Sequence, residues 1–301
     1  MRLIKSGKVK NVYFVNDKEL EFEFSNRISV FDKIIPSEIP NKGETLARTS
    51  AYWFELIQKR GISTHFLGLT APNRMRVKRV NVIHDYKLLT PKTVRYLIPL
   101  ECILRYYVYG SLWDRVFKGK IKPDKLGFLP GHTINIAEKL PQPFFEVTTK
   151  LEKIDRKLTT ETALKISGLT LNEYTSLKNM SLKVDEIIKS SINPRGLIHV
   201  DGKKEFAFDE DRNLMVVDTF GTADEDRFWD IKEFEHGRCV ERSKEFVRQY
   251  YRQIGYYDEL MNSREANETE PPIPSLPNEI IHQISKIYID LFEDLTGQRF
   301  R

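Results

Sequence analysis

Asp201, Lys203 and Glu205 stand two apart in the stretch from Ile198 to Trp229, IHVDGKKEFAFDEDRNLMVVDTFGTADEDRFW. Side chains two apart on a strand point to one face, so this spacing lays an acid, a base and an acid along one side. Leu214 to Val217 is apolar and ends on Asp218, and the polar run DEDRN between the two halves suits a turn. Paired as a hairpin, the halves return Asp218 near Glu205, because directly opposed residues lie about 5 Å apart. Two facing carboxylates are unfavourable unless a cation sits between them, which makes Glu205 and Asp218 a candidate divalent-metal site. Lys203, Asp224 and Arg227 are placed to hold an anionic ligand beside it. The plainer reading is a half-exposed hairpin with a solvated charged face. The charges run on into a Gly-Thr-Ala loop and an aromatic-rich stretch, and this favours a site.

Two other stretches carry chemistry. Val94 to Tyr109 is the longest apolar run, expected as a strand in mid-sheet, yet it carries Glu101 and Arg105. Four apart, these share a face, and a buried acid and base are costly unless paired or bound. A structural ion pair and a ligand site fit equally well. Gly110-Ser111 follows at the strand's end, where backbone amides and a hydroxyl suit a phosphate. Near the start, Gly7 to Tyr13 alternates, Asn16-Asp17 turns, and Glu19 to Phe24 alternates again. With Lys8 and Lys10 on one face, this hairpin suits a lid over nucleotide phosphates. An ordinary amphipathic hairpin with solvated lysines is the favoured reading of that piece alone.

The elements that position these residues make a mixed α+β pattern. Pro36 and Pro40 keep 27–41 extended, and Glu44 to Lys59 has helical spacing closed by Gly61. Ile62 to Leu69 and Arg74 to Asn81 read as strands, and Leu112 to Phe117 as a short helix starting at Ser111. Lys118 to Pro143 reads as loop, carrying Pro123, Pro130, Pro141 and Pro143, and Phe144 to Thr149 leads on to Lys150, Glu152 and Asp155. Helices are expected over Thr159–Ile166, Thr170–Ser191, His236–Tyr251 and Asn278–Thr296, with a polar loop over Met261–Pro277. The division expected is a β-rich lobe over 1–95 and a larger α+β lobe over 96–301.

The 301 residues, 40% hydrophobic and 30% charged, suffice for one large core or two modest ones. A net charge of +5 without basic runs suits small phosphorylated ligands rather than nucleic acid. Cys102 and Cys239 make neither a disulfide scaffold nor a metal spacing, which fits a reducing compartment. The six histidines lack zinc spacing. No Gly-x-Gly-x-x-Gly or Walker loop occurs, and neither does a signal peptide or an apolar run of about 20 residues. A soluble, cytoplasmic protein with no membrane partner is the expectation.

Seven stretches, in order, resemble one family: GKVKNVY, RISVFD with IPNKGETL, SAYWFELI, IPLECILRYYVYGS, PFFEVTTKLEKID, VDGKKEF and VVDTFGTADEDRFW. Together they resemble the phosphoribosylaminoimidazole-succinocarboxamide synthase (SAICAR synthetase) family, in its yeast-like form, over nearly the whole chain. The resemblance implies a strand-rich nucleotide-covering part joined to a larger mixed part. It implies ligation of a carboxyaminoimidazole ribotide to L-aspartate with ATP and Mg²⁺, through an acyl phosphate. By the same resemblance Lys8, Lys10 and Glu101 would serve ATP, while Arg105, Gly110 and Ser111 would hold the ribotide. Lys203, Asp224 and Arg227 would work at the reacting centre. Glu205, Asp218 and, across a one-residue gap, Asp155 would hold the metal. Arg27-Ile28-Ser29 and Thr148-Thr149-Lys150 are candidates for the aspartate.

The chain departs from the family's pattern in the same hairpin. Asp-Glu becomes Asp218-Thr219, Thr-Pro-Asp becomes Thr222-Ala223-Asp224, and Asp-Thr-Lys-x-Glu-Phe-Gly becomes Asp201-Gly202-Lys203-Lys204-Glu205-Phe206-Ala207. Glu225 or Asp226 could replace the missing carboxylate. These changes leave open a divergent ligase acting on a related azole carboxylate. A weakened regulatory nucleotide binder and a kinase-like phosphotransferase rank below it, the latter for want of His-Arg-Asp or Asp-Phe-Gly.

Overall fold

The computed structural model describes residues 1–240, 242 and 244–301. The chain opens with β1 (Arg2–Ser6), β2 (Lys10–Asn16) and β3 (Glu19–Phe24), each antiparallel to the next. The expected hairpin is present, with an extra strand before it. A tight turn, in which the Gly7 N–H donates to the Lys10 carbonyl (2.8 Å), separates β1 from β2. Lys8 therefore lies in the turn and Lys10 opens β2, so the two do not share a strand face as expected. A side chain at position 7 would bring its Cβ to 2.9 Å from that carbonyl oxygen, which accounts for the glycine.

β4 (Arg27–Val30) and β5 (Lys33–Glu38) form a separate small hairpin turned by Phe31 and Asp32, both at positive φ. α1 (Lys42–Lys59) starts two residues before its expected position. β6 (Phe66–Ala71) and β7 (Arg74–Lys78) then complete a five-stranded sheet in the order β1-β2-β3-β7-β6. Trp53, Phe54 and Ile57 of α1 are fully buried, and they join Phe22, Phe24, Met75 and Val77 of this sheet in one core.

β8 (Leu97–Tyr107) is the mid-sheet strand expected from its apolar run, and α2 (Ser111–Phe117) begins at Ser111. β9 (Lys139–Thr149) overturns the expectation of loop as far as Pro143. β10 (Lys157–Leu158) covers only Val147 and Thr148 of β9, so the proline-bearing half is a sheet edge where a missing N–H costs nothing. α3 (Thr160–Ser167) and α4 (Leu171–Ile192) follow. Thr170 and Glu173 form a capping box that fixes the start of α4.

β11 (Leu197–Phe208), β12 (Leu214–Val217) and β13 (Asp226–Asp230) complete a second sheet in the order β10-β9-β8-β11-β12. β12 and β13 both pair with β11, on the edge away from β8: β12 at Glu205 to Phe208, β13 at Leu197 to Gly202. Residues 218–225 therefore leave the sheet opposite Lys203 and Lys204. Between His199 and Asp201 the register slips by one residue, a bulge that resets which side chains share a face.

The single helix expected over 236–251 is replaced by α5 (Ile231–Glu235) and α6 (Glu245–Gln253); residues 241 and 243 of that expectation lie outside the described residues. α7 (Tyr256–Glu265) takes the first residues of the expected loop. α8 (Asn278–Thr296) coincides with its expectation and packs on α1. The core runs without a break from Phe22 and Phe24 through Ile98, Leu100 and Val216 to Ile284 and Leu291, so both sheets share it. Cys102 is buried within it, and burial raises its thiol pKa.

Candidate active site

β8 and β11 run antiparallel with Glu101 opposite Glu205, Ile103 opposite Lys203 and Arg105 opposite Asp201. Alternation then places Glu101, Arg105, Asp201, Lys203 and Glu205 on one face. Asp218 does not lie directly opposite Glu205, where Val217 stands; it is the next residue, with φ 62°, where the chain turns out of the sheet. The two acids nonetheless meet through Lys150, whose ammonium contacts Glu205 Oε2 and lies 3.6 Å from Asp218 Oδ2. Lys10 reaches over from β2 onto Asp218 Oδ1.

Burial pushes the Glu205 carboxyl up to about 7 against the pull of Lys150. Asp218 is only partly buried, and although desolvation works against its charge, Lys10 and then Lys150 hold its carboxyl well below the usual range. Lys203 lies 2.9 Å from Glu101, 3.0 Å from Glu225 and 3.9 Å from Glu205. Burial opposes its charge, yet Glu225 and Glu101 hold its pKa well above the ordinary value. Glu205 and Asp218 are hard oxygen donors, each already attended by a lysine, and as a donor set they suit a divalent cation. Asp155 is exposed on the loop after β9, where desolvation and the Glu101 carboxylate raise its pKa. Of the two substitutes for the carboxylate missing at Thr219, Glu225 faces Lys203 while Asp226 points to the other side of β11.

A cleft of about 550 Å³ opens between the two sheets. Val12, Leu20, Leu97 and Val217 form apolar walls, and Lys8, Lys10, Lys150, Glu205 and Asp218 supply its charges. Such a cleft accepts a flat aromatic ring with a polyphosphate tail. Lys8 is half-exposed at its rim and pairs with Asp32 at 2.6 Å. Glu101 does not line this cleft; it faces Lys203, and Thr148 lies 3.5 Å away. His65, buried beside Asp218, has its pKa pushed down by burial to about 3 and is neutral.

On the other side of Lys203, Arg105 donates to Glu146 (3.0 Å), Asp201 (3.2 Å) and the Ser111 hydroxyl (3.1 Å). Arg227 donates to the same Asp201 oxygen at 2.6 Å. Gly110 (φ 55°) is required there, because a Cβ would stand 2.8 Å from Arg227 Nη2. Asp224 is buried between Lys42 of α1 (2.9 Å), Tyr288 of α8 and Lys244. Burial works against its charge, but Lys244 and Lys42 hold its carboxyl far below the usual range.

A pocket of about 210 Å³ is lined by Arg105, Asp201, Lys203, Glu225, Arg227, Lys244 at the start of α6 and Arg248 within it. A second, of about 480 Å³, holds Gly110, Ser111 and Arg252 and shares Arg227 and Arg248 with the first. These cations at and in α6, like Lys42, were missed at the level of sequence. They fall in helices whose periodicity records packing, and only their unusual burial would have marked them. Arg27, a sequence candidate for aspartate binding, instead donates to Ser25 and Asn11, whereas Lys150 of the other candidate stretch sits between Glu205 and Asp218.

Among the described residues, the His, Asp and Glu side chains whose ligand atoms converge most closely are Asp185, His199 and Asp226, on the far face of β11. The Lys204 ammonium already stands among them. No described helix is long and apolar enough to cross a membrane.

The family model described as SAICAR synthetase matches residues 3–263. The phosphoribosylaminoimidazole-succinocarboxamide synthase of Thermoplasma volcanium is 52% identical over 300 residues, covering all of both chains. A solved SAICAR synthetase in complex with ADP superposes with a TM-score of 0.70 at 25% identity over 99% of each chain. The Saccharomyces cerevisiae SAICAR synthase complexed with SAICAR gives 0.75 at 23% identity, over 99% of this chain and 95% of that one.

Proposed function

The chain belongs to the SAICAR synthetase family, and from that premise we propose how its residues carry the family's reaction. The protein is an ATP-dependent carboxylate–amine ligase of purine biosynthesis. It joins the carboxylate of the carboxyaminoimidazole ribotide to the amine of L-aspartate, giving SAICAR, ADP and phosphate. Full-length identity of 52% to an enzyme of that name does not favour the divergent-ligase alternative.

One observation carries the assignment of roles. Lys203 and Glu225 line both the 550 Å³ cleft and the 210 Å³ pocket, so the two spaces meet at these side chains. ATP fits the first, with its ring between Val12, Leu20, Leu97 and Val217 and its phosphates toward Lys10 and Lys150. Lys8, at the rim, completes the cover. The ribotide fits the second together with the 480 Å³ pocket that shares Arg227 and Arg248 with it, its phosphate toward Arg105, Arg227, Ser111 and the Gly110 turn, where paired guanidinium groups suit a phosphate. Its carboxylate then points at Lys203.

Phosphoryl transfer to that carboxylate demands positioning and charge neutralisation more than covalent help. Lys203, held charged by Glu225, Glu101 and Glu205, neutralises the oxygen that receives the phosphoryl group. Glu205 and Asp218 would hold Mg²⁺, with Asp155 near by, and the ion would supply positive charge at the β- and γ-phosphates when bound. Lys10 and Lys150, which now pair with these acids, are released toward the phosphates as the nucleotide enters. The aspartate amine then attacks the acyl carbon, the C–N bond forms, and phosphate leaves. Asp224, clamped by Lys42 and Tyr288, holds the loop wall rather than touching the reacting atoms.

We assign the ATP-covering role to residues 1–95 and the ribotide and metal roles to 96–301, and the cytoplasm as the place of work. The test is ADP release with ATP, Mg²⁺, ribotide and L-aspartate, each omitted in turn. Turnover that needs all four supports the reading; turnover independent of aspartate overturns it.

A further inference from the structure

We propose that Asp226 is a positioning residue for the ribotide pocket, acting through a buried ion cluster with Lys204, His199 and Asp185 on the face of β11 turned away from the substrates. The proposal rests on the ligase reading above; the backbone of Gly202 and Asp226 borders the ribotide pocket, but the Asp226 side chain is completely buried behind it, and that reading gives it no part.

Asp226 opens β13, where the loop 218–225 rejoins the sheet. Its Oδ1 accepts the Gly221 N–H at 2.8 Å, across that loop. Its Oδ2 lies 2.7 Å from His199 Nε2 and 3.2 Å from Lys204 Nζ. Lys204 also contacts Asp185 of α4, whose other oxygen accepts the Tyr106 hydroxyl at 2.8 Å. The side chains of Asp185, His199, Lys204 and Asp226 are all completely buried. Gly221 is held from its other side too, since the Trp53 indole N–H donates to its carbonyl at 2.9 Å.

Charges this deep tolerate only arrangements that keep them paired, so the cluster admits one loop geometry. Its neighbours on either side serve the substrates. Alternation turns Arg227 to Asp201 and Glu225 to Lys203, so the placement of Asp226 sets both.

Gly202 supports the same conclusion. Its φ is not in the left-handed region, so the backbone does not call for glycine. A Cβ there would stand 2.0 Å from Asp226 Oδ2 and 2.7 Å from Lys204 Nζ. The space a side chain would fill holds the ion pair instead. Glycine, lysine and aspartate thus form one unit that fixes the loop.

The test uses the full-length enzyme and steady-state kinetics with each substrate varied. Asp226→Asn should raise the ribotide KM about tenfold, with kcat and the ATP KM within about threefold of wild type. Gly202→Ala keeps every charge and should give the same split, and it decides the matter if Asp226→Asn does not fold. In an Asp226→Ala background, Gly202→Ala should add little, because the collision with the carboxylate is gone and only the mobile end of Lys204 has to give way. Amide exchange at Gly221 should be slow in wild type and about tenfold faster in Asp226→Asn. An unchanged ribotide KM, equal effects on ribotide and ATP, or an equal cost of Gly202→Ala in both backgrounds would overturn the proposal. Should the wild type show no ribotide-dependent turnover, the ligase reading fails, and the Gly221 exchange rate alone decides the role of Asp226.

Discussion

Arg105 and Arg227 come from different strands of the second sheet and donate to the same oxygen of Asp201, at 3.2 and 2.6 Å. Asp201 thereby holds two guanidinium groups side by side, an arrangement that suits an incoming anion. Arg227→Ala should raise the ribotide KM about 10- to 100-fold, the loss of one charge-assisted contact, and leave the ATP KM within about threefold. Ser111→Ala should act in the same direction and more weakly. Initial rates against ribotide concentration check both; an equal rise in the ATP KM would refute the division of roles.

Lys10 makes the opposite prediction. Its ammonium pairs with Asp218 and lines the nucleotide cleft. Lys10→Ala should raise the ATP KM about tenfold or more with a small effect on the ribotide. The same variant leaves Asp218 with Lys150 alone, so its Mg²⁺ requirement should fall. Titrating Mg²⁺ at saturating ATP measures this.

Glu205 should make metal use depend on pH near neutrality. Burial raises its carboxyl to about 7, so below that pH it is largely neutral and a poor ligand for a cation. Apparent Mg²⁺ affinity should rise between pH 6 and 8 by about a factor of ten, with a proton released on binding. The stability sign is the reverse. A carboxyl raised above its unfolded value of 4.5 binds its proton more tightly in the fold, so its contribution to stability falls as pH rises from 4.5 to 7. Glu205→Gln should melt higher at pH 8 while losing activity, as thermal melts and rates together would record.

Lys244 carries a similar tension with the opposite charge. Burial lowers its ammonium to about 8 from 10.5. Below pH 8 both folded and unfolded chains hold the proton, and the buried charge is a full cost. Between 8 and 10.5 only the unfolded chain holds it, so stability rises with pH across that window. Lys244→Met should therefore stabilise the protein by on the order of 1–3 kcal/mol at pH 7 while impairing anion binding. In wild type the ribotide KM should climb above about pH 8 as this charge is lost. A flat profile would remove Lys244 from the pocket's working set.

Much of this arrangement was legible because strands and helices leave periodic marks. α8 could be read residue for residue from its apolar stripe, and β8 from its apolar run. The shared face of Asp201, Lys203 and Glu205 followed from a period of two, as did that of Glu101 and Arg105. What could not be read depends on distant partners. β13 is a strand because β11 offers it an edge. β9 tolerates Pro141 and Pro143 because nothing pairs outside them. β1 exists because β2 has a free side. Asp226 looked like a spare carboxylate for the metal, and only the bulge at β11 with the burial of Lys204 reveals that it faces away.

Because β12 and β13 dock on one edge of one strand, the segment between them begins opposite Glu205 and ends opposite Gly202, three residues apart along β11. Its contour can lengthen, shorten or change composition while the sheet beneath stays in register. Changes in that segment, such as those at Thr219 and Ala223, therefore carry no refolding cost, on ground that the strand keeps still.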